Sequence, residues 1–106
     1  MRAQQRDANE PTIVEALEAI GASVDKLPGG NGRPDLLVGF RGVNYLFEIK
    51  DPNADSDKRR LNAWQKKWHG GWNGKCHLVE TIEQAFMIVG ATLRERQKQL
   101  LDERAA

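Results

Sequence analysis

Two apolar runs meet at Arg41-Gly42, one ending at Phe40 and the other starting at Val43. A two-residue turn there predicts a β-hairpin over Asp35–Phe40 and Val43–Lys50 and fixes its register. Phe40 then faces Val43, and Asp35, at the open end, faces Glu48. Directly opposed residues hold their Cβ atoms about 4.5–5.5 Å apart. The strand period of two sorts the hairpin into faces. Leu36, Val38, Phe40, Val43, Tyr45, Phe47 and Ile49 share one. Leu37 and Leu46 share the other with Asp35, Glu48 and Lys50. Apolar residues on both faces predict cover on both sides.

The flanking segments read as alternating helices and strands. Residues 1–9 are polar and read as loose. A helix is expected over Glu10–Ile20, with Asn9 as N-cap, Pro11 in its first turn and Gly21 at its end. Its apolar stripe is Ile13, Val14, Leu17 and Ile20. Ala22–Leu27 could be a short strand, and Pro28-Gly29-Gly30-Asn31-Gly32 a loop. After a polar loop, Ser56 or Asp57 could cap a single helix over Lys58–His69, stopped by Gly70-Gly71. Leu61, Trp64, Gln65, Trp68 and Trp72 fall on one face of it. Tryptophans at that spacing read chiefly as core, and stacking on bases is the lesser reading. Cys76–Glu80 reads as a strand. Thr81-Ile82-Glu83-Gln84 is a capping-box pattern opening a helix to about Val89.

The order is α-β-β-β-α-β-α. A helix between Lys50 and Cys76 lets the last strand run parallel to the Glu48 strand through a right-handed crossover. The expected fold class is α/β, a mixed β-sheet flanked by helices. Residues 1–90 read as a single domain, and 91–106 as a charged helical tail.

Composition adds limits. The formal net charge is +1 over 106 residues, so a nucleic-acid surface would have to come from local segregation of charge. A single cysteine, Cys76, rules out an internal disulfide and reads as a buried, inert thiol. No apolar run approaches the roughly 20 residues of a membrane span. The first six residues lack a signal-peptide core, and a cytosolic home fits.

Two ionised carboxylates on facing strands repel, and a divalent cation between them turns that penalty into a site. Asp35 and Glu48 supply the hard oxygen ligands that suit Mg²⁺ or Mn²⁺, and the Ile49 backbone carbonyl is a plausible further ligand. Lys50 shares their face and could orient or deprotonate a water, or stabilise a pentavalent phosphorus. The bland alternative is an ordinary surface Glu–Lys pair. Glu10 could reach the same cluster, or merely favour its helix dipole. Gln65 could bond the attacking water or Lys50, or be satisfied by backbone at the core edge. Lys58, Arg59, Arg60, Lys66, Lys67, His69 and Lys75 form the densest basic stretch, and the first three neighbour the site loop and could hold phosphates. His69 and His77 lack metal-ligand spacing.

With these residues assembled, the chain resembles the PD-(D/E)xK nuclease superfamily. It looks most like the small phage-type VRR-NUC nucleases, with archaeal-type Holliday-junction resolvases as the next relatives. The carrying residues are Arg6-Asp7-Ala8-Asn9-Glu10, Gly32-Arg33-Pro34-Asp35-Leu36-Leu37-Val38-Gly39, Glu48-Ile49-Lys50, and Gln65 followed by Trp68. The resemblance spans roughly residues 6–90. It implies a restriction-endonuclease-like core, Asp35 and Glu48 as metal ligands, Lys50 as the catalytic lysine, Glu10 as the glutamate of the first helix, and Gln65 as the glutamine of the following helix. Arg33, Lys58, Arg59, Arg60, Lys66 and Lys67 are the candidate DNA contacts.

The expectation is a Mg²⁺- or Mn²⁺-dependent DNA endonuclease, acting by in-line attack of a metal-activated water that leaves a 5′-phosphate. Branched DNA is the favoured substrate and a homodimer the favoured assembly. A nicking or restriction-type nuclease is the second reading. A catalytically inactive DNA-binding module is the alternative of a different class.

Overall fold

The structure, a computed structural model, describes residues 6–105, apart from the side chains of Lys58 and Leu93. Helix α1 spans Glu10–Ala19, strand β1 Ser23–Lys26, β2 Leu36–Phe40 and β3 Val43–Ile49. Helices α2 (Ser56–Arg59) and α3 (Ala63–Gly71) follow, then β4 (His77–Val79), α4 (Ile82–Val89) and α5 (Leu93–Ala105). The sheet order is β1-β2-β3-β4, antiparallel except that β3 and β4 run parallel. This is the mixed, helix-flanked α/β core expected from the sequence.

The hairpin register follows its turn. Arg41 and Gly42 sit at φ 51° and 80°, the left-handed pair that a tight hairpin turn requires. Phe40 pairs with Val43 and Leu36 with Phe47. One face, with α1 and α4 over it, makes the core. Leu36, Val38, Phe40, Phe47 and Ile49 are buried there with Ile13, Leu17, Ala85 and Phe86. Each such Leu, Ile, Val or Phe side chain contributes about 1.5–3 kcal/mol on burial. On the opposite face Leu37 and Leu46 stay half-exposed, so cover there is only partial.

Four expectations need correction. The helix read as Lys58–His69 is two helices, because Arg60 is extended (φ −87°, ψ 157°) and Asn62 starts a new one. The Asn62 side chain accepts from the Gln65 amide, and the Gln65 side chain accepts from the Asn62 amide, each at 2.9 Å. This reciprocal cap makes a restart at residue 62 preferable to a continuous helix. Second, Trp64 and Trp72 are not core: they are 60% and 47% exposed. Third, Asn9 makes no side-chain cap on α1; its amide donates instead to the carbonyls of Lys50 and Glu80, at 3.0 and 2.9 Å. Fourth, residues 6–9 are engaged rather than loose; residues 1–5 lie outside the described range.

The tail helix α5 is tied down by Arg41–Glu95 and Arg96–Glu83 ion pairs at 2.5 and 2.6 Å. Among the described residues no helix is long and apolar enough to cross a membrane.

Gly32 joins the loop before β2 to α3. At φ +80° a Cβ there would lie 2.1 Å from the Trp64 carbonyl oxygen. Gly32→Ala should therefore lower stability by about 2 kcal/mol or more, through both strain and a backbone clash. Chemical denaturation checks this, and an unchanged midpoint would contradict the close approach.

Candidate active site

The site forms where the β2–β3 hairpin opens. Asp35 precedes β2 and is held in place by the sheet: its amide donates to the Phe47 carbonyl at 3.0 Å. Its Oδ2 accepts from the Ile49 amide at 2.8 Å. Glu48 and Lys50 lie one period apart at the end of β3, and both are buried, at 1% and 7% exposure. The Ile49 side chain between them points into the core.

Helix α3 closes this cluster from above the polar face. Gln65 Oε1 accepts from Lys50 Nζ at 2.8 Å, and Gln65 Nε2 donates to Glu48 Oε2 at 3.2 Å. One amide thus bridges the lysine and the carboxylate while also completing the cap of its own helix. The structure therefore brings Asp35, Glu48, Lys50 and Gln65 together. They line an open concavity of about 620 Å³ with Arg6, Asp7, Asp51, Arg60 and Asn62.

Burial decides the electrostatics. It raises the Glu48 pKa from 4.5 to about 9, helped by the hydrogen-bonded Asp35 carboxyl and by its charge; Lys50 only partly offsets this. At neutral pH the acid pair thus retains a proton. Glu48 Oε1 is buried with no hydrogen-bond partner, 3.9 Å from His69 Nε2. Burial and then Lys50 hold the His69 pKa down, so its ring is neutral at neutral pH. Asp7 is also pushed up, first by burial and then by Asp35.

The other sequence candidates fall into separate groups. Glu10 is buried at the start of α1, and Arg6 lies between it and Asp35. The Arg6 guanidinium donates to Glu10 Oε1 at 3.0 Å, to the Asp35 carbonyl at 3.2 Å, and to the Leu27 carbonyl. Glu10 does not line the concavity. Its pKa is raised by burial, against the pull of Arg6. Arg60 lines the concavity, whereas Arg59 is engaged with Glu80 at 3.1 Å. Arg33, Lys66 and Lys67 are exposed, and Lys58 lies outside the described side chains.

Sequence reasoning assigned no role to Arg6, Asp7 or His69. The i, i+4 spacing of Arg6 and Glu10 was the available signal for the first. Nothing local marks the other two. Cys76 is half-buried near His69, and its thiol pKa is pushed up to about 12 by burial, as an inert thiol requires.

A helix-flanked mixed sheet with two buried acids, a lysine and a glutamine at one strand end is an α/β core with a site built for acid–base or cation chemistry. Among solved structures, the chain is similar to one described as a VRR_NUC domain, with 28% sequence identity and a TM-score of 0.56. The match covers 76% of this chain and 89% of that one. No protein-family model and no curated protein matches the sequence.

Proposed function

We propose that the chain is a divalent-metal-dependent nuclease that hydrolyses phosphodiester bonds in DNA. The observation that carries this reading is the buried Asp35–Glu48 pair, with one Glu48 oxygen unsatisfied beside a buried lysine. A buried carboxylate oxygen without a partner is costly. Proton retention relieves that cost at neutral pH, and a hard cation relieves it better. Similarity to a VRR_NUC domain supports the same reading.

The donor set fits Mg²⁺ or Mn²⁺. Among the described residues no cluster of three or more His, Cys, Asp or Glu side chains is arranged as a cage. Mg²⁺ does not need one: it keeps several waters and is commonly held by one or two carboxylates plus substrate phosphate. Asp35 and Glu48 would hold the ion, with the Ile49 carbonyl as a further oxygen. Glu10, kept behind Arg6, would act on the site through that arginine or reach it after the arginine moves. A bound ion would lower the pKa of water and screen charge building on phosphorus.

The remaining work falls to the chain itself. Gln65 holds the Lys50 ammonium at the concavity, where it can orient the attacking water and stabilise the equatorial phosphoryl oxygens. Attack is in line with the leaving 3′-oxygen and leaves a 5′-phosphate. Arg60, Arg33, Lys66 and Lys67 would carry the flanking phosphates, with Lys58 and Arg59 beside them. Branched DNA is the substrate geometry we favour, cut by a homodimer, because the resemblance to junction-resolving nucleases supports paired cuts.

Incubation of the protein with a four-way junction and with supercoiled plasmid, in Mg²⁺, Mn²⁺ and EDTA, tests this. Cleavage should need the metal and vanish in EDTA, with the junction cut in preference. Cutting of plasmid alone would favour a nicking enzyme. Binding without cutting in either metal would favour an inactive binding module and end the nuclease reading.

A further inference from the structure

Helix α3 carries the site glutamine on one face and a second, unexplained surface beside it. Trp64 directly precedes Gln65 and is 60% exposed; Trp72, just past the helix, is 47% exposed. Trp68 and Trp72 stack at 4.9 Å between ring centroids, with an interplanar angle of 17°. Together with Asn31, Lys67 and Gly71 these rings line a shallow groove of about 600 Å³. The loop after Trp72 backs its indole, since a Cβ on Gly74 would lie 2.8 Å from the indole nitrogen. The Trp68 and Trp72 rings are therefore held, not dangling.

Large exposed aromatic surface on one helix marks a docking surface. Its surroundings identify the occupant. Residues 58–79 hold six Lys or Arg and no Asp or Glu. Lys66, Lys67 and Lys75 are all exposed. A second copy of this chain seated here by two-fold symmetry would bring those lysines against themselves. A polyanion with flat, apolar bases satisfies both features: phosphates meet the lysines, and bases stack on indole rings.

We propose that Trp64, Trp68 and Trp72 form a stacking platform for unpaired nucleobases of the DNA strand that enters the Asp35–Glu48 site. This rests on DNA being the substrate, and it narrows that substrate to DNA with unpaired bases near the cut. The Gly32 contact links the groove to the site, because it sets the Trp64-Gln65 backbone against the loop leading to Asp35. Bases of a paired duplex are stacked on one another and have no free faces to offer, so the platform discriminates by strand separation rather than by sequence.

The test is binding without cleavage, in EDTA. It uses a single-stranded oligonucleotide, the same oligonucleotide with abasic sites, and a blunt duplex. The wild type should bind the base-bearing strand with quenching of its tryptophan fluorescence, and the abasic strand more weakly with less quenching. The Trp64→Ala/Trp72→Ala variant should lose about ten-fold in affinity for the base-bearing strand and less than about two-fold for the duplex. The Trp64→Phe/Trp72→Phe variant should recover most of the loss.

Four results would overturn the proposal. These are equal binding and quenching by abasic and base-bearing strands, unchanged affinity in the alanine variant, equal losses on single strand and duplex, or conversion of a wild-type dimer into a monomer by the alanine pair. The first needs only wild-type protein, so it decides even if a variant misfolds. The nuclease reading is judged separately. A wild type that stacks bases but never cuts in Mg²⁺ or Mn²⁺ refutes catalysis and leaves the platform standing. One that cuts while its alanine variant binds normally refutes the platform alone.

Discussion

Replacing Lys50 by alanine is expected to slow DNA cleavage about a thousand-fold while changing DNA affinity in EDTA less than about three-fold. The amine is buried and fixed by Gln65, so its charge acts where screening by water is weakest. Losing one pre-placed donor or proton-transfer group from such a site is worth about two to four orders of magnitude in rate. The fold should survive, because Gln65 Oε1 keeps its bond from the Asn62 amide when the lysine bond is lost. Single-turnover cleavage measures the rate, and a gel-shift in EDTA measures binding. Mutant and wild-type rates within a few-fold of each other would strip Lys50 of its role. A matched loss of binding would make it a phosphate contact.

Glu48→Gln should abolish cleavage yet stabilise the metal-free protein above neutral pH. The sign follows from the raised pKa. Below about pH 4.5 both folded and unfolded chains carry the Glu48 proton. Above it the unfolded chain releases that proton while the folded chain keeps it until about pH 9. The unfolded state therefore gains on the folded state throughout that window, and wild-type stability falls as pH rises. Glutamine retains a hydrogen to share with Asp35 and carries no charge to bury. In EDTA the variant should match the wild type near about pH 5.5 and melt higher near about pH 8.5, by roughly 5 °C or more. Mn²⁺ should raise the wild-type midpoint, more so at the higher pH, and leave the variant's unmoved. A wild-type midpoint flat from about pH 5 to about pH 9 would refute the raised Glu48 pKa, and a variant that still responds to Mn²⁺ would remove Glu48 from the cation site.

The parts of this site that a reader of the sequence can find are those set by short-range geometry. Arg41-Gly42 dictates the pairing of β2 with β3, and that pairing alone sets Asp35 opposite Glu48 with Lys50 on their face. The Thr81–Gln84 cap is likewise local, with the Gln84 amide bonded to Thr81 Oγ1 at 3.1 Å. The break before α3 was also local: Asn62 and Gln65 have capping-box spacing, but the surrounding helix formers and the apolar period masked it. The tryptophans expose the limit of periodicity, which finds the residues that share a face and not what that face meets. Asn9 could not be read at all, and Arg6 only as far as its i, i+4 neighbour Glu10. Their other partners lie 21 to 71 residues away, at positions only the folded sheet brings near.

Asn9 has one more consequence. Beyond the Lys50 amide, which still bonds the Val79 carbonyl, the carbonyls of Lys50 and Glu80 share the two hydrogens of a single side-chain amide from before α1. Its orientation is unambiguous, since a flipped amide would set oxygen against two oxygens. The fork between two parallel strands is thus spliced by a group from outside the sheet, and the notch beside Lys50 keeps its shape without any guest. On the function proposed above, a nucleic acid arriving there would meet a finished cleft, so its binding energy need not be diverted into building one.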